Sequence, residues 1–419
     1  MKLTLASAGI ALACLASSAH AGEGQTPSGV PHLDHVFVIM MENHGYSQIA
    51  NNPNAPFINS LARSANLSTN YFAIAHPSLN NYLEVVGGSN FGVLSDNYPD
   101  WHNAACSPNL ATGVPNTDNP ASPLICPIYG TGTDAAVVAI DMTNEASGAP
   151  GTINIDGVQS IPATAGISGI TIADQLARVG KSWKSYQENL PVDGPDRVNY
   201  SDGVFSNLTD FSKITPTLTP PLTSSSIVMQ YAAKHNPFVY FRSIQTGSDG
   251  LSYRNIAGFD GERGLYADLG SGKLPHFAFI VPNQCNDQHG RGNAGAFCNY
   301  DPSDNGSQAG LNPALIQAGD VAVRKIVQAI HASKAWRGEG RRSAIVVLWD
   351  ENDYSTAPNT NQVMLIVDTN YGAHGVVSSQ RYNHFSLLKT IEGALGLPCL
   401  NHACDANVNV MSDLFAEGR

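Results

Sequence analysis

Charged residues are scarce in this chain of 419 residues, where they make up 13% of the sequence against 42% for hydrophobic residues. The basic residues are the scarcer kind, because 22 Lys and Arg stand against 34 Asp and Glu, a formal net charge of −12. Neither Lys nor Arg occurs between Arg63 and Arg178. A protein that follows the phosphates of a nucleic acid needs clustered cations, so the sequence excludes this class. Its low charge and ample hydrophobic content also exclude a disordered chain.

Long hydrophobic runs are also lacking. The apolar run from Leu5 to Leu15 is shorter than the roughly 20 residues of a membrane-spanning helix, and no later run approaches that length. We therefore expect no transmembrane segment. Lys2 precedes this run and the small-residue pattern Ala19-His20-Ala21 follows it, which predicts a secretory signal peptide over residues 1–21. The mature protein is then expected to be secreted or periplasmic.

Cysteine is rare as well, with seven residues in the chain, of which Cys14 falls in the predicted signal peptide. An even number of cysteines in an exported chain favours disulfides. None of the spacings is the CxxC of a zinc site. Nearest-neighbour pairing is our hypothesis, although six cysteines allow about 15 connectivities. The pairs would be Cys106 with Cys126, Cys285 with Cys298, and Cys399 with Cys404.

Short apolar runs alternate with segments of helical spacing, which predicts an α/β protein with a mostly parallel central sheet. The region from about 90 to 169 is rich in Gly, Pro, Asn, Ser and Thr, and we interpret it as a loop-rich insertion in a single domain over residues 22–419. The predicted strands are Val36–Met41, Ser182–Tyr186, Phe238–Phe241, His276–Val281, Ser343–Trp349 and Val363–Asp368. The predicted helices are Ala55–Ala65, Ser78–Val86, Ile170–Val179, Ser226–Lys234, one within Leu311–Ala335, and His384–Leu395.

Acidic residues follow two of the predicted strands at the point where each strand ends. Glu42 and Asn43 come directly after one strand, and Asp350 and Glu351 come after another. The carboxyl ends of strands border the ligand crevice of an open α/β sheet, so these side chains are candidates for binding a divalent cation. For one such cluster alone, capping of a helix or formation of a turn is an equally good interpretation. Two clusters at equivalent positions favour the metal site.

Ser78 is a candidate nucleophile. It follows Pro77 at the predicted start of a helix, where free backbone N–H groups can hold the anionic oxygens of a phosphate. An isolated serine at this position is more often a helix cap. Asp287 and His289 follow a further strand, and His384 opens the last predicted helix. These three side chains could bind a second cation, bind phosphate, protonate a leaving group or serve structural roles.

Several of these motifs, taken in order, carry a family resemblance. The matching runs are Val38–His44, Ala55–Asn59, His76–Tyr82, Trp183–Glu188, Lys234–Pro237, Pro282–His289, Trp349–Asp353 and Asn383–His384. Together they resemble the phosphoesterase family that contains bacterial phospholipases C and secreted acid phosphatases, a branch of the alkaline phosphatase superfamily. The likeness covers most of the chain outside the insertion. It implies a three-layer α/β/α sandwich with a metal-activated Ser or Thr nucleophile.

Carried onto this sequence, the resemblance implies that Ser78 is the nucleophile and that Asn81 contacts a phosphate oxygen. One position departs from the family pattern, since Asn80 stands where a Pro is usual. The middle motif lacks a full second set of metal ligands, so we expect one cation, whose identity as Ca²⁺, Mg²⁺, Mn²⁺ or Zn²⁺ is left open. The implied metal ligands are Glu42, Asn43, Asp350 and Glu351. The implied catalytic residues are Ser78, His289 and His384, and the implied substrate-binding residues are His76, Asn81 and Asp287.

The resemblance therefore implies a secreted, metal-dependent phosphatase that hydrolyses phosphate monoesters through a phosphoserine intermediate. The substrate would be a small-molecule or lipid-derived phosphate ester. A phosphodiesterase of the phospholipase C type is one alternative. A secreted binding protein that is stabilised by a metal but has no catalytic activity is another. The sequence does not determine the oligomeric state.

Overall fold

The computed structural model describes residues 22–91, 93, 140–141, 152–153, 167–190, 230–245, 247, 250–291, 295–303, 305–352 and 360–418. The predicted signal peptide, most of the predicted insertion, and both Cys106 and Cys126 lie outside these residues. The strands are β1 (His35–Met41), β2 (Asn66–Phe72), β3 (Ile140–Asp141), β4 (Thr152–Ile153), β5 (Trp183–Gln187), β6 (Ile256–Ala257), β7 (Phe277–Val281), β8 (Ser343–Trp349), β9 (Gln362–Thr369), β10 (Val377–Ser378) and β11 (Tyr382–Asn383). The α-helices are α1 (Tyr46–Ile49), α2 (Pro56–Ser64), α3 (Ser78–Gly87), α4 (Ile172–Arg178), α5 (Arg242–Gln245), α6 (Leu265–Ser271), α7 (Pro313–Ala332), α8 (Lys334–Arg337) and α9 (His384–Leu395).

A nine-stranded sheet forms the centre of the molecule, in the order β10-β2-β9-β8-β1-β7-β5-β6, with β11 also paired to β2. β1 lies parallel to β7 on one side and to β8 on the other, and β5 lies parallel to β7 and β6. Two antiparallel pairs join β9 to β8 and to β2. The sheet is therefore mixed but mostly parallel, which confirms the predicted fold class.

The central strands are covered on both faces. Every residue of β7 and β8, and all of β1 after His35, is buried. Burial of one large apolar side chain is worth about 1.5–3 kcal/mol, and side chains such as Phe37, Phe277 and Trp349 contribute at this scale. The helices pack in two groups, α3 with α4 and α9, and α7 with α2, α6 and α8. A sheet buried on both faces and flanked by two groups of helices is a three-layer α/β/α arrangement.

Two local predictions are wrong. Phe238–Phe241 is not a strand, because the chain forms a 3₁₀ turn over Pro237–Tyr240 with Pro237 in its first position. A run of four apolar residues is equally compatible with a buried turn, and proline, which has no N–H and a fixed φ, favours the turn. Of the predicted helix Ser226–Lys234, residues 230–232 are not helical and a 3₁₀ turn covers Ala233–His235, while the remainder lies outside the described residues.

Strand β2 escaped prediction because its composition is polar. Asn66, its first residue, is buried and donates hydrogen bonds from Nδ2 to the carbonyls of Ala373 and Leu414. Its Oδ1 accepts from the backbone N–H of Val376. The side chain thus connects the C-terminal segment to the sheet, a role that hydrophobic patterning does not detect.

Disulfides join Cys285 to Cys298 and Cys399 to Cys404, which confirms two of the three predicted pairs. The first of these closes a loop that begins shortly after β7, and the second lies close to the end of α9. Among the helices of the described residues, none has the length and apolar character needed to cross a membrane.

Candidate active site

The candidate active site lies where the central strands end. β1 leads into Glu42, β8 leads into Asp350, and β7 leads into the segment that carries Asp287. Since these strands are parallel neighbours, their carboxyl ends meet at one edge of the sheet. Backbone hydrogen bonds connect the three ends: the N–H of Asp350 donates to the carbonyl of Met41 at 2.9 Å, and that of Glu42 donates to the carbonyl of Asp287 at 2.8 Å.

Ser78 opens α3 and faces this edge. The N-cap of the helix is Pro77, so the interpretation of Ser78 as a capping serine is wrong and its hydroxyl is available for other contacts. The buried Oγ donates to Oε2 of Glu42 at 3.1 Å and lies 3.4 Å from Oε1 of Glu351. The ammonium group of Lys234 donates to the same hydroxyl at 3.3 Å. A carboxylate that can accept the serine proton and a cation that can balance an anionic substrate therefore both touch Ser78.

His235 bridges two buried carboxylates. Its Nε2 lies 2.9 Å from Oε1 of Glu42, and its Nδ1 lies 3.1 Å from Oδ2 of Asp287. All three residues are almost inaccessible to solvent. A cation is thus enclosed between two anions in a part of the protein from which water is largely excluded.

The pKa values of this group reflect both burial and charge. Burial disfavours ionisation of Glu42, but the adjacent His235 and Lys234 outweigh it and hold the pKa of this carboxyl below its ordinary value. Burial likewise opposes protonation of His235, yet the Glu42 carboxylate and the contact with Asp287 raise the pKa of the imidazole to about 9. Burial raises the pKa of Asp287 to about 6 in spite of His235. In the absence of a metal ion, Glu42 is therefore ionised and His235 is protonated near neutral pH.

His289 occupies the partly exposed side of this group. Its Nδ1 donates to the carbonyl of Gly290 at 2.9 Å, which leaves the lone pair on Nε2, 3.1 Å from Nζ of Lys234. Burial and the Lys234 charge lower the pKa of His289 to about 3, so the ring is neutral. The side chain of Asp287 accepts from the backbone N–H of His289 at 2.7 Å. Asp287 thus positions His235 through one oxygen and His289 through the other.

Asp350 presents a contrasting environment. Its Oδ1 accepts from the backbone N–H of Asn43 at 3.1 Å, and the φ of 54° at Asn43 turns that amide toward the carboxylate. Its Oδ2 is buried and has no hydrogen-bond partner among the described residues. Burial, followed by the negative charges of Glu42 and Glu351, raises the pKa of Asp350 well above its ordinary value.

Glu351 is held by two polar neighbours. Nδ2 of Asn81 donates to its Oε2 at 3.0 Å, and Nδ1 of His76 lies 3.0 Å from the same oxygen. The other proton of the Asn81 amide goes to the carbonyl of Ala75, and its Oδ1 accepts from the N–H groups of Ile74 and Ala75. The described contacts of Asn81 therefore orient Glu351 and the turn before α3.

His384 lies behind the carboxylates. Its Nε2 donates to the backbone carbonyl of Asp350 at 2.7 Å, and its Nδ1 accepts from the hydroxyl of Tyr71 at 2.9 Å. Burial lowers the pKa of His384 to about 4, so the ring is neutral. With both nitrogens engaged, His384 fixes the end of β8, and the structure does not bring it into contact with Ser78.

Tyr82 packs against His235 at the candidate active site. It lies one helical turn after Ser78 on α3, and its ring stacks on the imidazole of His235, with centroids 5.3 Å apart and planes inclined by 6°. Burial and the charges of Glu42, Asp350 and Asp287 raise the pKa of Tyr82 well above its ordinary value, so its hydroxyl is neutral. One helix therefore carries both the candidate nucleophile and the support of the bridging histidine.

The donor set fits a divalent cation. Glu42, His235 and His289 each offer one ligand atom, and these three atoms lie within 4.8 Å of one another. Oδ2 of Asp350 is a buried carboxylate oxygen without a hydrogen-bond partner among the described residues. Buried carboxylates of this kind are normally compensated by hydrogen bonds or by a metal ion. The hydrogen bond from Nδ1 of His289 to a carbonyl is the support that metal-binding histidines commonly have.

Most of the residues implied by the sequence are close together in the structure, although their roles remain predictions. Ser78 contacts both Glu42 and Glu351. Asp287 is linked to Glu42 through His235, and His289 is linked to Ser78 through Lys234. His235 and Lys234 received no role from the sequence. Their signal was only the motif Lys234–Pro237, a part of the family resemblance with no characteristic spacing to any other ligand.

Fold and site together define a class: an α/β protein with a buried serine, carboxylates and histidines gathered at the carboxyl ends of a mostly parallel sheet. The pattern of the phosphoesterase family matches residues 50–298, more than half of the chain. The chain therefore belongs to the phosphoesterase family, which confirms the resemblance found in the sequence. Ser78, His235 and Asp287 lie within the matched region, whereas Glu42 and Asp350 lie outside it.

Two curated relatives and one solved structure illustrate the similarity. An acid phosphatase of Aspergillus fumigatus is 26% identical over 254 residues, which is 60% of this chain but only 36% of the relative. A phosphatidylinositol-3-phosphatase of Mycobacterium tuberculosis is 24% identical over 389 residues, 91% of this chain and 84% of the relative. A protein in the alkaline phosphatase superfamily from Vibrio parahaemolyticus superposes with a TM-score of 0.44 at 10% identity, covering 91% of this chain and 72% of its own.

Proposed function

We propose that this protein is a phosphatase that hydrolyses phosphate monoesters, with Ser78 as its nucleophile. The observation that carries the proposal is the environment of the Ser78 hydroxyl, which contacts Glu42 at 3.1 Å and Lys234 at 3.3 Å at the first residue of α3. A hydroxyl between a carboxylate and an ammonium group, at the N-terminal end of a helix whose dipole favours negative charge, suits attack on an anionic phosphorus centre.

The reaction forms a bond between Oγ of Ser78 and phosphorus and breaks the ester bond to the leaving alcohol. Glu42 accepts the hydroxyl proton, and Lys234 and the positive end of the α3 dipole neutralise the phosphate oxygens. The alcohol takes up one proton as it leaves. Water then attacks the phosphoserine, which releases inorganic phosphate and restores the hydroxyl.

Glu42, His235 and His289 would hold a divalent cation, with Asp350 and Glu351 as further carboxylate ligands. When bound, such a cation supplies Lewis-acid stabilisation of the phosphate charge. Binding requires His235 to lose its proton, which couples metal affinity to pH. The Glu42 carboxylate and the neutral His289 ring are already in the protonation states that ligands require.

The relatives support a monoester as substrate, since two of them are named as an acid phosphatase and a phosphatidylinositol-3-phosphatase. The proposal also places the action of this protein outside the cytoplasm. Its two disulfides support this location, because disulfides persist in oxidising compartments.

Replacement of the nucleophile tests this proposal most directly. We expect Ser78→Ala to lower kcat for p-nitrophenyl phosphate by at least about a thousandfold, because no other described hydroxyl occupies this position. The melting temperature and metal content should be retained. The matched control is Ser64→Ala, which removes an exposed serine hydroxyl from α2 and should leave kcat unchanged. A Ser78→Ala enzyme with normal turnover would exclude Ser78 as nucleophile.

A further inference from the structure

One exposed aromatic side chain stands beside the site. Tyr300 is 53% exposed, and its ring lies 6.2 Å from the ring of His289 in an edge-on arrangement at 66°. His289 in turn contacts Lys234, which touches Ser78. Among these residues, Ser78 and Lys234 are buried and His289 is partly exposed. His289 is thus the most exposed of these three residues, and it lies on the side of the group that faces Tyr300.

Contacts of the neighbouring residue Asp301 hold the chain at Tyr300 in place. The neighbouring Asp301 accepts from the N–H of Asn312 at 2.7 Å through one oxygen, and its other oxygen lies 2.9 Å from Nε2 of His44. His44 is itself bonded to the carbonyl of Glu42 at 2.9 Å. The backbone beside Tyr300 is thus tied to the site although the ring is open to water.

Gly290 also lies close to Tyr300. Its φ of 88° belongs to the left-handed region, and a Cβ at this position would lie 3.2 Å from both Cα and Cδ1 of Tyr300. The chain after His289 therefore packs directly against the tyrosine. Cys298, two residues before Tyr300, is joined by a disulfide to Cys285 in the same loop system. Tyr300 is anchored on both sides, so its exposed ring is presented in a defined orientation.

A single exposed aromatic residue is ordinary on protein surfaces and needs no function. The position of Tyr300 is what distinguishes it, since its ring edges onto the partly exposed histidine of the site. A phosphate ester bound with its phosphorus at Ser78 can direct its alcohol portion toward His289, the partly exposed residue of this group. The ring of Tyr300 is then available to contact that portion.

We infer that Tyr300 is a specificity-determining residue that packs against the leaving group, so that esters of aromatic alcohols bind better than esters of small polar alcohols. The inference rests on the proposed phosphatase function and adds the class of leaving group. Aromatic pairs prefer stacked or edge-on contacts, and the phenol ring of Tyr300 offers both. A polar alcohol such as glycerol gains little from this surface.

Tyr300→Ala tests the inference with two substrates, phenyl phosphate and glycerol 2-phosphate. We expect KM for phenyl phosphate to rise about threefold to tenfold, the range that corresponds to one aromatic contact. KM for glycerol 2-phosphate and both kcat values should stay within about twofold. Tyr300→Phe keeps the ring and should retain the wild-type preference for phenyl phosphate. Val377→Ala, which shortens an exposed side chain on β10 at the edge of the sheet, is the matched control.

The outcomes separate the inference from the proposed function. If the wild-type enzyme hydrolyses both esters but Tyr300→Ala leaves the ratio of their KM values unchanged, the specificity role is wrong and the phosphatase function stands. An equal rise of both KM values also overturns the inference, because it indicates a general disturbance of the site. Hydrolysis of neither ester by the wild-type protein overturns the proposed function and the inference together.

Discussion

Glu42 and Asp350 occupy equivalent positions at the ends of two adjacent parallel strands, and both are completely buried. Their electrostatic environments are opposite. Glu42 lies beside His235 and Lys234, which hold its pKa below the ordinary value. Asp350 lies near Glu42 and Glu351, and burial together with these anions raises its pKa well above the ordinary value.

The difference shows which half of the site has its charge already balanced by protein groups. On the Glu42 side, an imidazolium and an ammonium group neutralise the carboxylate. On the Asp350 side, one backbone N–H reaches Oδ1 and no described donor reaches Oδ2. If the proposed cation contacts both carboxylates, we expect it to stabilise the ionised form of Asp350 more than that of Glu42.

The largest expected effect comes from replacing Glu42. Glu42→Gln removes the acceptor of the Ser78 proton and one metal ligand, so we expect kcat/KM for p-nitrophenyl phosphate to fall roughly a hundredfold to a thousandfold. The chelated protein should also lose about 3 kcal/mol of unfolding free energy, because His235 and Lys234 lose their buried partner. Glu262→Gln, at an exposed glutamate, is the control for both measurements. Retained activity would remove Glu42 from the reaction.

A smaller and qualitatively different effect is expected on the other side. Asp350→Asn should lower kcat/KM about tenfold to a hundredfold and weaken metal binding. After chelation with EDTA, however, the melting temperature of this variant at pH 7 should equal or exceed that of the wild type, since a neutral amide avoids the unfavourable buried charge. Thermal unfolding with and without EDTA measures this difference. Equal destabilisation of the chelated Asp350→Asn and Glu42→Gln proteins would contradict the comparison.

The smallest expected effect comes from replacing a buried carboxyl group that lies outside the candidate active site. Glu392 on α9 is another buried carboxyl group whose pKa burial raises well above the ordinary value, here against the opposing effect of Lys389. Between the unfolded-state pKa of about 4.5 and the higher folded-state value, the folded protein binds more protons, so stability is lost as pH rises. Glu392→Gln should therefore raise the melting temperature by a few degrees at pH 8 and change it little at pH 4.

The activity of Glu392→Gln should equal that of the wild type, because Glu392 has no described contact with the site. This variant thus distinguishes a carboxylate whose raised pKa reflects burial alone from Asp350, whose replacement also lowers activity. A melting temperature of Glu392→Gln that is unchanged at every pH would show that Glu392 carries no such penalty.

The sequence predicted the elements that consist of strong apolar patterns. β1, β7 and β8 appear where uninterrupted apolar runs indicated buried strands. The polar strand β2 and the turn Pro237–Tyr240 were missed because their structure depends on hydrogen bonds and on proline geometry, not on hydrophobic periodicity. The hydrophobic pattern of a segment indicates its burial but does not indicate which strands a polar strand such as β2 pairs with.

The sequence predicted those residues of the candidate site that directly follow a predicted strand. Glu42, Asp350 and Asp287 follow apolar runs, so the topology of a parallel sheet brings them together. His235 and Lys234 follow no strand, and they reach the site only because the 3₁₀ turn Ala233–His235 is folded under α3. A long-range contact of this kind has no local sequence signal.

Helix α3 carries Ser78 at its first residue and Tyr82, which supports the ring of His235, one turn later. The hydroxyl oxygen of the proposed nucleophile and the ring that supports His235 therefore belong to one helix. When thermal motion shifts or tilts this helix, the Ser78 hydroxyl and the Tyr82 ring move together. The distance between them therefore changes much less than the position of the helix does. The helix therefore fixes the spacing between Ser78 and Tyr82, and only the stacking of His235 on Tyr82 depends on the packing of the turn Ala233–His235 against α3.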